Sequence, residues 1–293
     1  MSSRFKGLLL MIACSFLISF GPLMYRNFQD IEILEVVFLR SVALIIYMTF
    51  YLSFKYKTKI IGNIKSIGFM GVLASFVFCS AQASYLVALK YTSVANATFT
   101  LCVVPFITAV LAYFFIKESI SRTTAITMIF ALVGVIIIII GGFEGSGLKG
   151  ILFALYTAFA LASFAVILCA NRTIDMLPTL MVTAVFMALI GGLGGSFTNA
   201  IPFTDVILCL IWGIALQGFA HSLMIRATRL ILSAEVTLFM LLEFTIGPFW
   251  VWLFMNEVPT STSLIGGSVI IMSVAILTGT ELKQTFKINR EPT

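Results

Sequence analysis

Arg40, Gln82, His221 and Glu243 are polar or ionisable residues standing inside long apolar runs. Such groups are costly in an apolar medium, so each needs a chemical or structural reason to be there. Glu243 is mid-run, ten residues after Ser233 and eleven before Phe254. Its carboxyl can exchange a proton or hold a cationic group; the structural alternative is a packing carboxyl, neutral or hydrogen-bonded. His221 is the only histidine. It can change charge near neutral pH, and so carry a proton or bind an anion, or it can be a core residue with its hydrogen bonds satisfied. Gln82 is the counterpart of His221 in an internal repeat described below. Arg40 lies about seven residues into its run. Its spacing from Glu35, i to i+5, is poor for pairing on one helix. A partner on another helix is expected, with a structural or gating role. These four are the candidate coupling or gating residues.

Tyr85, Asn96, Thr100, Tyr156, Ser163, His221 and Trp250 are the candidates for contact with a small molecule, since they offer hydrogen bonds and aromatic walls. In the competing reading Asn96 and Thr100, four apart, hold one helix to its neighbour, and Tyr156 is a packing residue. Glu235 follows Ser233 at the start of a run and reads as a helix cap. The sequence carries no GxxxxGK[ST], no HExxH and no GxSxG, so ATP hydrolysis by a P-loop and metal or serine hydrolysis are not expected. No catalytic residue, cofactor or metal ligand is assigned. Cys14, Cys79, Cys102, Cys169 and Cys209 all lie in apolar runs without a CxxC pair, and read as small buried side chains.

The elements that hold these residues follow from composition. Of the 293 residues, 60% are hydrophobic and 10% charged, against roughly 25% charged in soluble domains. Lipid is the solvent that fits. Ten runs approach the roughly 20 residues a spanning helix needs: Gly7–Tyr25, Ile33–Phe54, Ile67–Leu89, Val94–Ile116, Thr123–Ile140, Leu148–Ala170, Pro178–Phe197, Phe203–Ile225, Ser233–Phe254 and Ser263–Gly279. The first follows Arg4 and Lys6 as a signal peptide would, but no small-residue cleavage site comes after it, so it reads as a span. Connecting loops are short. Gly191, Gly192, Gly194 and Gly195 suit close helix approach; Pro22, Pro105 and Pro248 lie within or near runs, and Pro105 and Pro248 suit kinks.

Of the 18 Lys and Arg residues, Arg40 lies inside a run; of the others, fourteen fall on one side if the N-terminus is cytoplasmic, and only Arg26, Lys90 and Lys149 on the other. This asymmetry places both termini in the cytoplasm, which requires an even number of spans. The net charge of +6 is spread over these loops, so no nucleic-acid partner is expected.

The chain also repeats itself. Lys6-Gly7-Leu8 returns as Lys149-Gly150-Ile151, and Gln82 to Glu118 returns as His221 to Glu257 at a constant offset, with Ala95/Ala234 and Glu118/Glu257 in register. Residues 1–140 and 148–280 form the two copies, and 281–293 a cytoplasmic tail. Five spans per copy put the copies in opposite orientation. Inverted repeats enclose a central site that rocking can expose to either side in turn.

Pro105 through Phe114-Phe115-Ile116-Lys117-Glu118 to Gly134-Val135, its second version Leu241-Leu242-Glu243 through Trp252 and Asn256-Glu257 to Val274, and Phe38-Leu39-Arg40 resemble the EamA-type drug/metabolite transporters. Ser273 in place of Gly134, and Thr127 in place of Gly266, are where one copy departs from the other. The resemblance implies an all-α bundle of ten transmembrane helices and a central cavity lined by spans one, three, four, six, eight and nine. It implies a monomer or homodimer in a bacterial cytoplasmic membrane, with a small organic solute and the bilayer as partners. Amino acids, amines, nucleobases and related metabolites all fit. An intramembrane enzyme or a non-transporting receptor or scaffold are the competing classes, and convergence of Tyr85, Asn96, Tyr156, His221 and Glu243 on one cavity would separate the last from a transporter.

Overall fold

In an apolar medium each backbone N–H and C=O must find its partner within the chain, so runs like these close on themselves as helices. A computed structural model describes residues 3–57, 60–117, 122–144, 147–197 and 200–288, and among them every regular element is helical. In chain order these are α1 (Ser3–Ile18), α2 (Gly21–Arg26), α3 (Ile33–Tyr56), α4 (Ile60–Ser66), α5 (Gly68–Tyr91), α6 (Val94–Leu101), α7 (Val104–Phe115), α8 (Arg122–Glu144), α9 (Leu148–Ala170), α10 (Pro178–Gly194) and α11 (Phe203–Ile211). A π-helix (Trp212–Ala220) then leads into α12 (His221–Ala227), α13 (Ser233–Met255) and α14 (Ser261–Ile288). Helix overlaps each of the ten apolar runs. Seven stretches are long and apolar enough to cross a membrane: Phe5–Arg26, Ile33–Tyr56, Gly68–Tyr91, Val94–Phe115, Leu148–Ala170, Phe203–Ala227 and Ser233–Met255. Pro178–Gly194 and Ser261–Ser273 are shorter apolar helices. The chain is a multi-pass integral membrane protein.

Local chemistry sets the helix ends. The Ser93 hydroxyl caps α6 by accepting from Asn96 N at 3.1 Å. Glu35 and Glu235 turn back to accept from Glu32 N (3.2 Å) and Leu232 N (3.0 Å), which is the capping role expected of Glu235. Asn256 ends α13 in the left-handed conformation (φ 54°), and its repeat counterpart Lys117 does the same after α7 (φ 61°). Glu118 lies outside the described residues.

The packing pairs follow the repeat. α5 lies on α9 as α12 lies on α1; α7 lies on α9 as α13 lies on α1; α10 lies on α5 as the π-helix lies on α3. The pairs α3–α10, α8–α14 and α6–α13 each join equivalent helices of the two copies.

Two of these crossings depend on missing side chains. A Cβ on Gly191 would come within 2.7 Å of Leu34 O and Phe38 N, so the glycine cluster does serve close approach of α10 to α3. At the α8–α14 crossing, a Cβ on Gly134 would lie 2.7 Å from Gly266 O, and one on Gly266 would lie 2.6 Å from Gly134 O. Backbone cannot yield there as a flexible side chain can. Gly134→Val is therefore expected to destabilise the protein by about 1–3 kcal/mol, the usual cost of overpacking. It should appear as a fall of several degrees in the detergent melting temperature, whereas Gly62→Ala, which meets nothing within 4 Å, should leave it unchanged.

Candidate functional site

Three membrane helices lose regularity at one level of the bundle. Pro22 has no N–H to give to the carbonyl of Ile18, and the chain breaks between α1 and α2. Pro105 likewise deprives Leu101, and the chain breaks between α6 and α7, where Cys102 N and Val103 N turn to Phe99 O and Thr100 O at 3.1 and 3.3 Å. Pro248 stays inside α13 and deprives Phe244, the neighbour of Glu243. The π-helix is the third irregular stretch. Its wide turn fits because Gly213 and Gly218 face α3, where a Cβ would strike the Arg40 carbonyl and the Tyr47 ring. Helix breaks and π-turns of this kind recur at functional sites and at the midplane sites of transporters.

A cavity lies at that level. Ile18 and Gly21 line it at the first break and Leu101 at the second; Trp212, Leu216 and His221 come from the π-helix and its end. Ala81, Gln82 and Tyr85 face it from α5, Thr157 and Leu161 from α9, and Met240 and Glu243 from α13. Its volume open to the centres of water molecules is about 40 Å³, room for roughly three waters at about 10–15 Å³ each. That is too small for an amino acid or a nucleobase. A solute can enter only if the surrounding helices part.

The wall is polar in a particular way. Among the described residues, the side chains of Gln82, Tyr85 and Glu243 make no hydrogen bond or ion pair with the protein, although all three line the cavity. Buried polar groups are normally partnered, so this hydrogen-bonding capacity is held in reserve and faces one space. His221 is half committed: Nδ1 lies 2.9 Å from the Leu216 carbonyl, which can only accept. Nδ1 therefore carries the hydrogen, leaving Nε2 as the acceptor of the neutral ring. The ring is braced by Phe78 (4.9 Å between centroids), itself stacked on Phe164 at 4.3 Å.

Other sequence candidates are placed elsewhere. Asn96 accepts from Ser263 and donates to Thr92 Oγ1 at 3.2 Å, tying α6 to α14. Thr100 donates to Asn96 O at 2.7 Å. Asn96 takes the helix-to-helix role, Thr100 bonds within its own helix, and neither is on the cavity wall. Tyr156 is 49% exposed on the outer face of α9, and its neighbour Thr157 takes the cavity position. Ser163 donates to Phe159 O on its own helix (2.8 Å). Trp250 donates to Ser19 Oγ at 3.0 Å and stacks on Phe20, locking α13 against the first break. So Tyr85, His221 and Glu243 converge, while Asn96 and Tyr156 do not. The ion-pair partner expected for Arg40 is not found among the described residues; its guanidinium lies over the Trp212 ring, 4.9 Å from the centroid.

The ends of the bundle are tied differently. At the Arg26 end, Arg26 Nε meets Glu257 Oε2 at 2.7 Å, and its terminal nitrogens donate to Leu89 O and Thr92 O, both at 3.1 Å. Glu257 Oε1 also accepts from Val94 N at 2.7 Å. One ion pair thus joins the ends of α2, α5 and α13 to the start of α6. By the repeat, Cys169 stands where Arg26 does and Thr228 where Leu89 does, and the Cys169 thiol does face Thr228 O, at 3.9 Å. The opposite end carries instead Lys55 and the Tyr56 hydroxyl, both 2.5 Å from Asp175 Oδ2.

Burial raises the Asp175 pKa, but the hydrogen bonds from Lys55, Tyr56 and Leu177 N, with the charge of Lys55, outweigh it and hold the carboxyl below its ordinary 3.8. A lowered pKa means the stabilisation is present above the ordinary value and fades as pH falls through the lowered one. Asp175→Asn should lower the melting temperature at pH 7 by about 2–4 °C, the equivalent of about 1 kcal/mol for this partly exposed pair. Melting curves of variant and wild type should converge as pH falls below the ordinary carboxylate range.

The EamA-like transporter family matches residues 5–140. A solved crystal structure, described only as that of a protein, superposes with a TM-score of 0.71 over 96% of this chain and 99% of its own at 14% identity, one of 28 matching chains. That likeness is one of fold. No curated protein sequence matches.

Proposed function

We propose that the chain, whose residues 5–140 match the EamA-like transporter family, is a secondary transporter of a small polar organic solute, working by alternating access at the Gln82–Tyr85–His221–Glu243 cavity. The match favours a membrane transporter over an enzyme. The observation that carries the finer reading is the set of cavity-lining polar side chains without protein partners, placed where three helices are broken or widened. A scaffold has no use for unpaired polar groups at membrane depth; a solute site does.

The same reading makes the chain ten spans in two inverted copies, residues 1–140 and 148–280, with both termini in the cytoplasm of a cell bounded by this membrane. Its support is the charge asymmetry of the loops and the way packing pairs and the two left-handed helix ends obey the repeat. On this orientation the Arg26–Glu257 pair closes the outer side. Glu243 is the proton-coupling group: an unpaired carboxylate at this depth is costly, so it is occupied in turn by a proton or by a cationic part of the solute.

The test is a stabilisation screen on the purified protein across amino acids, amines, osmolytes and nucleobases. A solute that binds the folded state raises the melting temperature with its concentration. At least one class is expected to do so, and the shift should disappear in Tyr85→Ala. A screen in which no small solute stabilises the wild type, or in which Tyr85→Ala responds like it, argues against the cavity as the binding site.

A further inference from the structure

Arg40 is the largest side chain that is fully buried, at 0% exposure. Nε and both terminal nitrogens make no hydrogen bond among the described residues. Trp212, Cys79 and Cys209 lie near it and belong to one buried apolar cluster. A guanidinium cannot shed its charge by losing a proton as a lysine can, and an isolated charge in such a place is strongly disfavoured. The Trp212 ring offers a cation–π contact on one face, which is much weaker than the loss of hydration it would have to offset. The contact also leaves the in-plane N–H fork free. That fork matches the two oxygens of a carboxylate.

Trp212 lies between the two sites. It touches Arg40 at 4.9 Å and lines the central cavity as well. It is held by a parallel stack with Phe28 at 6.2 Å, and it opens the π-helix, where the chain departs from regular backbone geometry. Arg40 is also near enough to His221, on the cavity wall, for their charges to interact.

We propose that Arg40 is a carboxylate-binding subsite of the central cavity, screened by the Trp212 ring and reached when that ring turns aside. The proposal rests on the cavity being the solute site, but its test reads binding and needs no transport. The asymmetry of the two copies agrees with it: the counterpart of Arg40 is Thr183, which spends its hydroxyl on Ser75 O at 3.2 Å. Only one copy carries the fork.

The probe is acetate, a small monocarboxylate, titrated against the detergent-purified full chain at constant ionic strength with chloride as the balancing anion. Acetate is expected to raise the melting temperature saturably. Arg40→Gln should weaken half-saturation at least tenfold, and Arg40→Lys, which keeps the charge but loses the fork, should weaken it severalfold. Trp212→Phe should keep the response or strengthen it. If Arg40→Gln does not fold, the Arg40→Lys comparison decides alone. The proposal is overturned if acetate gives no saturable shift beyond chloride, or if either Arg40 variant responds to acetate as the wild type does.

Discussion

Replacing Glu243 with glutamine is expected to abolish pH-driven accumulation of solute while leaving solute exchange within about threefold of wild type. Glutamine keeps the shape and much of the hydrogen-bonding capacity of the side chain but cannot take up or release a proton. Glu243 faces the cavity and has no protein partner to share its charge among the described residues. With one proton moved per solute, each unit of pH difference supplies about a tenfold concentration ratio. In proteoliposomes with a gradient of one unit, the wild type should approach that ratio and Glu243→Gln should stay near one. Glu243→Asp, which restores a titratable group one methylene shorter, should recover part of the ratio. Persistence of the full ratio in Glu243→Gln would remove Glu243 from coupling and leave His221 as the cavity's remaining titratable group of that kind.

The second large effect concerns the Arg26 end. Arg26→Ala removes the ion pair with Glu257 and two bonds to the carbonyls of Leu89 and Thr92 at once. The pair is about a quarter exposed, with side-chain accessibilities of 26% and 27%, so its share must be discounted for solvent screening. Together the losses amount to about 1–2 kcal/mol, a shift of roughly 5–30-fold toward opening on that side. A cysteine placed at Gln82 reports it, because the native cysteines are all buried. Its alkylation by a membrane-impermeant thiol reagent added from the Arg26 side should quicken by that factor in Arg26→Ala, and should not quicken from the opposite side. Swapping the charges in Arg26→Glu/Glu257→Arg should not restore closure. A glutamate at 26 has nothing to donate to two carbonyls, and an arginine at 257 cannot accept from Val94 N. Equal quickening from both sides would show general loosening and sink the gate.

The residues that carry these predictions were legible in different degrees. His221 and Glu243 stand out in sequence because polarity inside an apolar run is costly wherever the chain folds; Gln82 is marked as the repeat counterpart of His221, and Tyr85 only as one of several hydrogen-bonding side chains. Tyr156 did not hold, because α9 is apolar on all sides and no stripe says which face turns inward; the structure gives the cavity to Thr157, one residue on. Arg26 and Glu257 were visible only as charges at the ends of runs. They lie 231 residues apart in sequence, and only the folding of the two copies together makes them one contact. Asn96 was read with both roles open, and its bond to Ser263 on α14 gives it the packing one. The π-helix had no sequence signal that distinguishes its glycines from packing glycines, yet it carries Trp212 and presents His221. Pro105 marks the break between α6 and α7, since a missing N–H acts through local geometry alone, whereas Pro248 carries the same signal and leaves α13 continuous.

On the function proposed above, one small cavity, walled by side chains of both copies, carries a solute from one face of the membrane to the other. Counterflow tests it most directly. Proteoliposomes holding the wild-type chain are loaded with an excess of the solute that stabilises the purified protein, then given a trace of labelled solute outside. Alternating access through one site predicts uptake of label that saturates, exceeds that of unloaded vesicles several-fold, and is lost in Tyr85→Ala. Uptake no faster than in protein-free vesicles, for every solute that binds, would contradict it.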